Sequence, residues 1–144
     1  MGCMSNKKFQ FDTYFRCVNP NRLKLQLPDE RCSIEIYTAR HFDKWYWGYH
    51  SCMIFEDVRP ARLTDDAYAS AREARYAALE MLINCVDVAI WRVDNTCWCK
   101  TDSCGDVEIG YEEVLDILES VKERLQEYLK CHDNDVIFEL DDKL

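Results

Sequence analysis

Ser33-Ile-Glu-Ile-Tyr-Thr-Ala-Arg40, then His41-Phe-Asp-Lys44, then Trp45-Tyr-Trp-Gly-Tyr-His-Ser-Cys-Met-Ile-Phe55 is the stretch whose reading decides the fold. Ile34 and Ile36 alternate with Ser33, Glu35 and Tyr37, the period-two pattern of a strand with one buried face. The four residues from His41 form a short turn, and the run after it is rich in aromatic side chains that suit a pleated surface. In an extended chain Trp45, Trp47 and Tyr49 point one way, while Tyr46 and His50 point the other.

Upstream, Phe9, Phe11, Thr13, Phe15 and Cys17 alternate with Gln10, Asp12, Tyr14 and Arg16, and Asn19-Pro20-Asn21 breaks the run. Leu23, Leu25 and Leu27 alternate with Arg22, Lys24 and Gln26 until Pro28-Asp29. These two runs predict a β-hairpin, and with the central stretch they give three or four antiparallel strands.

Downstream, Thr64 followed by Asp65 and Asp66 supplies an N-cap and two acids where the helix dipole favours them. Ala67, Ala71, Ala74, Ala78, Leu82 and Cys85 then recur at helical spacing, with small residues that let the axis approach a sheet. Val86 to Val93 reads as a continuation of this helix; its Val86, Val88, Ile90 alternation also fits a strand. Asn95 to Gly110 is a loop or irregular hairpin. Tyr111 to Lys130 is an amphipathic helix with the stripe Tyr111, Val114, Leu115, Leu118, Val121, Leu125, Tyr128 and Leu129, and Val136 to Leu140 adds a short strand. The expected fold is α+β: a small antiparallel sheet from the first ~60 residues, packed against an Ala-rich helix and a C-terminal amphipathic helix.

Residues 1–144 read as one domain, since 48% hydrophobic and 31% charged content in 144 residues is enough for a single core. Four Gly and three Pro leave no flexible linker, and collagen, low-complexity disorder and a multidomain array are excluded. The formal charge is −9, which argues against broad attachment to phosphate backbones or anionic lipid. Its placement is more informative. Met1 to Gly105 carries fourteen basic and fourteen acidic residues, whereas Asp106 to Leu144 carries four and thirteen, so the whole excess lies in an acidic C-terminal helix and tail. The first 62 residues lean basic, with ten basic and seven acidic side chains.

The N-terminal residues lack the continuous apolar run of a secretory signal, and the longest uncharged stretch, Trp45 to Phe55, is far short of the ~20 residues that span a bilayer. Nine cysteines, an odd number in apolar contexts, fit reduced thiols better than a disulfide framework. The expected location is the cytoplasm, with no membrane association.

Three constellations bear on chemistry. Cys97-Trp-Cys99 with Cys104 is the densest thiol cluster, but structural zinc usually wants paired C-x2-C elements, and a fourth ligand here must come from Cys85, Cys131 or His132. His50 and Cys52 share a strand face without a third group to orient them. No P-loop, Gly-rich dinucleotide turn, H-E-x-x-H or G-x-S-x-G element occurs, so no cofactor and no metal are expected. Second, Tyr46 and His50, with Arg40 and Lys44 nearby, form a stacking and neutralising set for single-stranded nucleic acid, although the overall charge opposes direct binding. Third, Glu112, Asp116, Glu119, Glu123 and Glu127 lie off the apolar stripe of the last helix and have few opposite-sign partners at i,i+4. Such a face suits a basic protein surface, as in an inhibitor whose carboxylates stand in for phosphates. The expected function is therefore a non-catalytic macromolecular binder with a basic protein partner. Single-stranded nucleic-acid binding and a thiol- or zinc-dependent enzyme are the alternatives, and homo-oligomerisation is left open.

Overall fold

The computed structural model describes residues 7–53 and 55–131. Strands β1 (Asn21–Lys24), β2 (Ser33–His41), β3 (Lys44–Cys52) and β4 (Glu56–Arg59) form one antiparallel sheet in the order β1-β2-β3-β4. Helix α1 (Ala71–Thr96) follows, then a small hairpin of β5 (Lys100–Thr101) and β6 (Val107–Ile109), then helix α2 (Tyr111–Cys131). The architecture is α+β, a four-stranded antiparallel sheet within the first ~60 residues packed against two helices, as the sequence predicts. No helix of the described residues is long and apolar enough to cross a membrane.

The hairpin of β2 and β3 is the longest pairing, running in unbroken register from Ser33↔Cys52 to His41↔Lys44. Period-two geometry sends Ile34, Ile36, Trp47 and Tyr49 to one face, where they meet Ala74, Ala78, Leu79, Leu82 and Val86 of α1. Alanines at the front of α1 let its axis come close to the sheet. On its other side α1 packs against α2, whose Val114, Ile117, Leu118, Val121 and Leu125 complete the same core. Ile117 belongs to this stripe although the sequence pattern omitted it. At its far end α2 grips the β1–β2 connection: the Gln26 N–H donates to Tyr128 Oη at 2.7 Å, and Arg124 Nε donates to the Gln26 carbonyl at 2.8 Å.

The opposite face of the sheet carries a second, smaller cluster of Cys17, Ala39, Tyr46 and Ala61. It forms because the backbone at 59–61 crosses β3 above Gly48. A Cβ at that glycine would lie 2.1 Å from the Arg59 carbonyl oxygen, so no larger residue fits without moving the crossing.

Two expected elements differ. Phe9 to Cys17 is not a strand: its only ladder contacts among the described residues are the isolated bridges Phe11↔Cys17 and Arg16↔Arg62. The Asp12 carboxylate turns the chain instead, accepting hydrogen bonds from the amides of Tyr14 and Arg16 and an ion pair from the Arg16 guanidinium. The partner of β1 is therefore β2, in register Leu23↔Ile36. The first helix starts at Ala71 and not after Thr64, because Tyr68 is still bridged to Trp45 by two backbone hydrogen bonds of 2.8 and 2.9 Å. Its N-cap is Ser70, whose Oγ accepts from the Glu73 amide while Glu73 reaches back to the Ala69 amide. The Val86–Val93 segment is helical, as expected, and α1 ends in a left-handed cap at Cys97. Val136 to Leu140 lies outside the described residues.

Candidate functional site

An α-helix turns 100° per residue, so positions 112, 116, 119, 123 and 127 fall within a stripe about 80° wide, directly opposite the core-facing stripe. Every one of these five carboxylates is exposed. From Glu112 to Glu127 the row spans about 22 Å at 1.5 Å per residue. Val114, Leu118, Val121 and Leu125 bury the inner stripe of the helix completely, which leaves the opposite stripe to solvent.

What decides the electrostatics is where the cations go. Lys122 turns to Asp87 of α1, at 2.6 Å. Arg124 spends its Nε on the Gln26 carbonyl and offers a corner to Glu127 at 3.4 Å. Arg31 clamps Asp29 through 2.8 and 3.0 Å bonds, which hold that carboxyl down at about pKa 2, and reaches Glu113 only at 3.4 Å. Glu112, Asp116, Glu119 and Glu123 have no ion-pair partner among the described residues. Residues 106–131 carry eight acidic and three basic side chains, so the face keeps a net negative field. Beside its C-terminal half lies a shallow notch of about 300 Å³ between Ser120, Glu123, Arg124 and Glu127 on one side and Gln26, Leu27 and Pro28 on the other. Sequence reasoning missed this notch, because it exists only where α2 meets a loop a hundred residues earlier.

The other sequence-predicted residues are dispersed. Tyr46 is only 8% exposed, with Phe9, Phe11 and Leu63 packed against its cluster, so its ring is not on the surface. His50 is half-buried and its Nε2 lies 2.8 Å from Glu56 Oε2, not beside Cys52, which is exposed at the strand end. Arg40 lies over the Trp45 ring at 5.9 Å, and Lys44 is exposed. The large apolar residue exposed at this end of the sheet is Phe42, 84% exposed in the tight turn with φ 57°.

Cys97 is the left-handed cap of α1, with Cys99 and Cys104 in and beside the β5–β6 hairpin. No group of three or more His, Cys, Asp or Glu side chains is placed to hold a metal ion among the described residues, and His132 lies outside them. Cys17, Cys32, Cys52, Cys85, Cys97, Cys99 and Cys104 are free thiols. Burial pushes the Cys32 thiol up to about 11 and raises Cys17 as well, so neither is a thiolate at neutral pH. Comparison with protein-family models, curated proteins and solved structures finds no match.

Proposed function

We propose that the protein is a non-catalytic binder of a basic protein surface and that the outer face of α2 is its docking face. The observation that supports this most is the unopposed row of Glu112, Asp116, Glu119 and Glu123, continued by Glu127 at the rim of the notch. A row of like charges on a helix opposes the helix's own stability, and nearby cations would relieve it cheaply; here they are committed elsewhere. A partner with Lys or Arg at matching intervals relieves the repulsion, and a basic side chain fits the notch between Glu123 and Glu127. Carboxylates one helical turn apart offer such a partner a regular series of anions, as a phosphate backbone does. The free thiols support a reducing compartment, and the cytoplasm is the location in this reading.

Charge complementarity acts mainly on association rate and specificity. Immobilised protein is therefore expected to retain basic proteins from native lysate at low salt and to release them as the ionic strength rises past physiological values, where the Debye length is about 8 Å. A variant with Glu112, Glu119, Glu123 and Glu127 all changed to Lys is expected to retain none of them. Equal retention by that variant, with the same salt dependence, overturns the reading.

A second reading, single-stranded nucleic acid at the β2–β3 turn, has one observation in its favour: Phe42, between Arg40 and Lys44 in the sequence, exposes its ring from a backbone conformation unusual for a bulky residue. Saturable, salt-sensitive quenching of tryptophan fluorescence by oligonucleotides is the result that favours it over the acidic face.

A further inference from the structure

Three small side chains from two elements, Ser51 of β3 and Cys85 and Ala89 of α1, meet where the core should be filled. Strand β3 places Trp47 and Tyr49 on its helix-facing side, and the next residue on that side, by the same alternation, is Ser51. Opposite it, α1 presents Cys85 and Ala89 one turn apart, where Leu82 and Val86 nearby are fully buried. The shortfall leaves a cleft of about 370 Å³ between the β3–β4 end of the sheet and α1, with Leu118 of α2 also lining it. That volume is within the range of about 300–1,000 Å³ typical of small-molecule sites. A binary pattern broken at three converging positions is also what a site, unlike a structural core, requires.

The polar groups of the cleft give it a direction. At one end Tyr49 Oη donates to Asp57 Oδ2 at 2.6 Å and touches Cys85 Sγ at 3.9 Å; burial first, and then that hydrogen bond, keep the phenol protonated far above its ordinary range. Ser51 is only 2% exposed, lines the cleft, and its hydroxyl has no hydrogen-bond partner among the described residues. Both acids of the lining are occupied, Asp57 by Tyr49 and Glu56 by His50 at 2.8 Å. Arg92, two turns along α1 from Cys85, is exposed on the rim and has no side-chain partner among the described residues. Between these ends the walls are Met53, Phe55, Val88 and Ala89, and the exposed Asn84 also lines the cleft. Arg92, at the end of an apolar slot, is therefore the one charged side chain of the lining without a hydrogen-bond or ion-pair partner among the described residues.

We propose that this cleft binds a small apolar carboxylate, its acid group against Arg92, its hydrocarbon or aromatic body against Met53, Val88, Ala89 and Leu118, with the Ser51 hydroxyl available to a polar atom at the inner end. The site is separate from the carboxylate row of α2 and does not depend on it. Its mouth is bordered by an aromatic pair, Phe55 and Trp98, with ring centroids 5.0 Å apart, so a ligand is read by tryptophan fluorescence.

The test is titration of the full chain with 3-phenylpropionate, followed by amide chemical shifts and Trp98 fluorescence, against the neutral 3-phenylpropionamide. Saturable binding of the acid is expected, with shifts centred on Ser51, Cys85 and Ala89 and at least tenfold weaker binding of the amide. Arg92→Gln, on an exposed position, is expected to weaken the acid at least tenfold and leave the amide unchanged, with the far-UV spectrum intact. Ala89→Phe fills the slot and is expected to abolish both; if that variant does not fold, Val88→Glu places a like charge at the wall and serves instead. No saturable shift with the acid, shifts confined to another part of the molecule, equal binding of acid and amide, or binding indifferent to Arg92→Gln each overturns the proposal.

Discussion

Helices α1 and α2 share one core, yet they are built for opposite tasks. The first is held from two sides, with β2 and β3 against one flank and α2 against the other, and its buried set runs from Ala71 to Val93. The second is held from one side and has a polar outer stripe along its whole length. A helix packed on both sides tolerates little change in side-chain volume, whereas a helix packed on one side can vary its outer residues without cost to the fold. What this teaches is where selection for function can act: on α2 through charge, and on α1 only where the packing is already incomplete, at Cys85 and Ala89.

The contrast is sharpest in stability. Leu82→Ala in α1 is expected to cost about 4–5 kcal/mol, at the upper end for buried leucines, because sheet and helix neighbours on both flanks lose contacts. Leu118→Ala in α2 is expected to cost about 2–3 kcal/mol, since Leu118 already borders the cleft and its removal enlarges a space that exists. Urea midpoints of the two variants check the order, and a larger loss from Leu118→Ala breaks the comparison. Ala78→Leu, adding volume at a fully buried alanine of the core, comes next at about 1–3 kcal/mol by the same measurement.

Thiol chemistry probes the same difference in enclosure. Timed alkylation with iodoacetamide, read by peptide mass spectrometry, is expected to label Cys52, Cys97 and Cys104 first, Cys85 later, and Cys17 and Cys32 last. The Cys32 thiol is held neutral by burial, with its pKa moved from 9.0 to about 11. A raised pKa means that its contribution to stability is complete below pH 9 and is lost as the pH rises through 11. Thermal melting is expected to show an alkaline decline in that window, and Cys32→Ala to flatten it. The smallest effect belongs to the outer face of α2. Reversing Glu112, Glu119, Glu123 and Glu127 to Lys is expected to move stability by no more than about 0.5 kcal/mol per site, and a cooperative loss of structure would show that the row is part of the fold.

Much of the architecture is legible in the sequence where one physical signal dominates. The alternation around His41–Lys44 and the apolar stripe of Tyr111 to Lys130 each have a single reading, and the carboxylate row follows from the same helical period. The failures come from competing signals. Phe9 to Cys17 alternates like a strand, yet the Asp12 side chain captures the amides that a ladder would use, and Phe9 and Phe11 pack on a cluster on the far side of the sheet. Thr64 resembles an N-cap, but Ser70 and Glu73 form the better reciprocal pair, and the Tyr68–Trp45 bridge keeps the intervening chain extended. Strand β4, Glu56-Asp-Val-Arg59, shows no alternation to read, because it is an exposed edge held by its pairing with β3. The cleft has no local sign at all: a serine, a cysteine and an alanine are ordinary residues until tertiary packing brings them together.

The crossing of residues 59–61 over Gly48 also bears on the order in which the molecule assembles. Within the four-stranded sheet each strand pairs with its sequence neighbours, so the meander closes short loops and can form early. The hydrogen bonds from the Cys17 amide to the Ala61 carbonyl and from the Leu63 amide to the Phe15 carbonyl join segments more than forty residues apart, and they require that crossing to be in place. The closure entropy of that long loop is met only after the meander exists. The segment around Phe15 and Cys17 is thus expected to dock last and to detach first. Native-state hydrogen exchange is expected to release the Cys17 and Leu63 amides through openings that leave Ile34 and Ile36 protected.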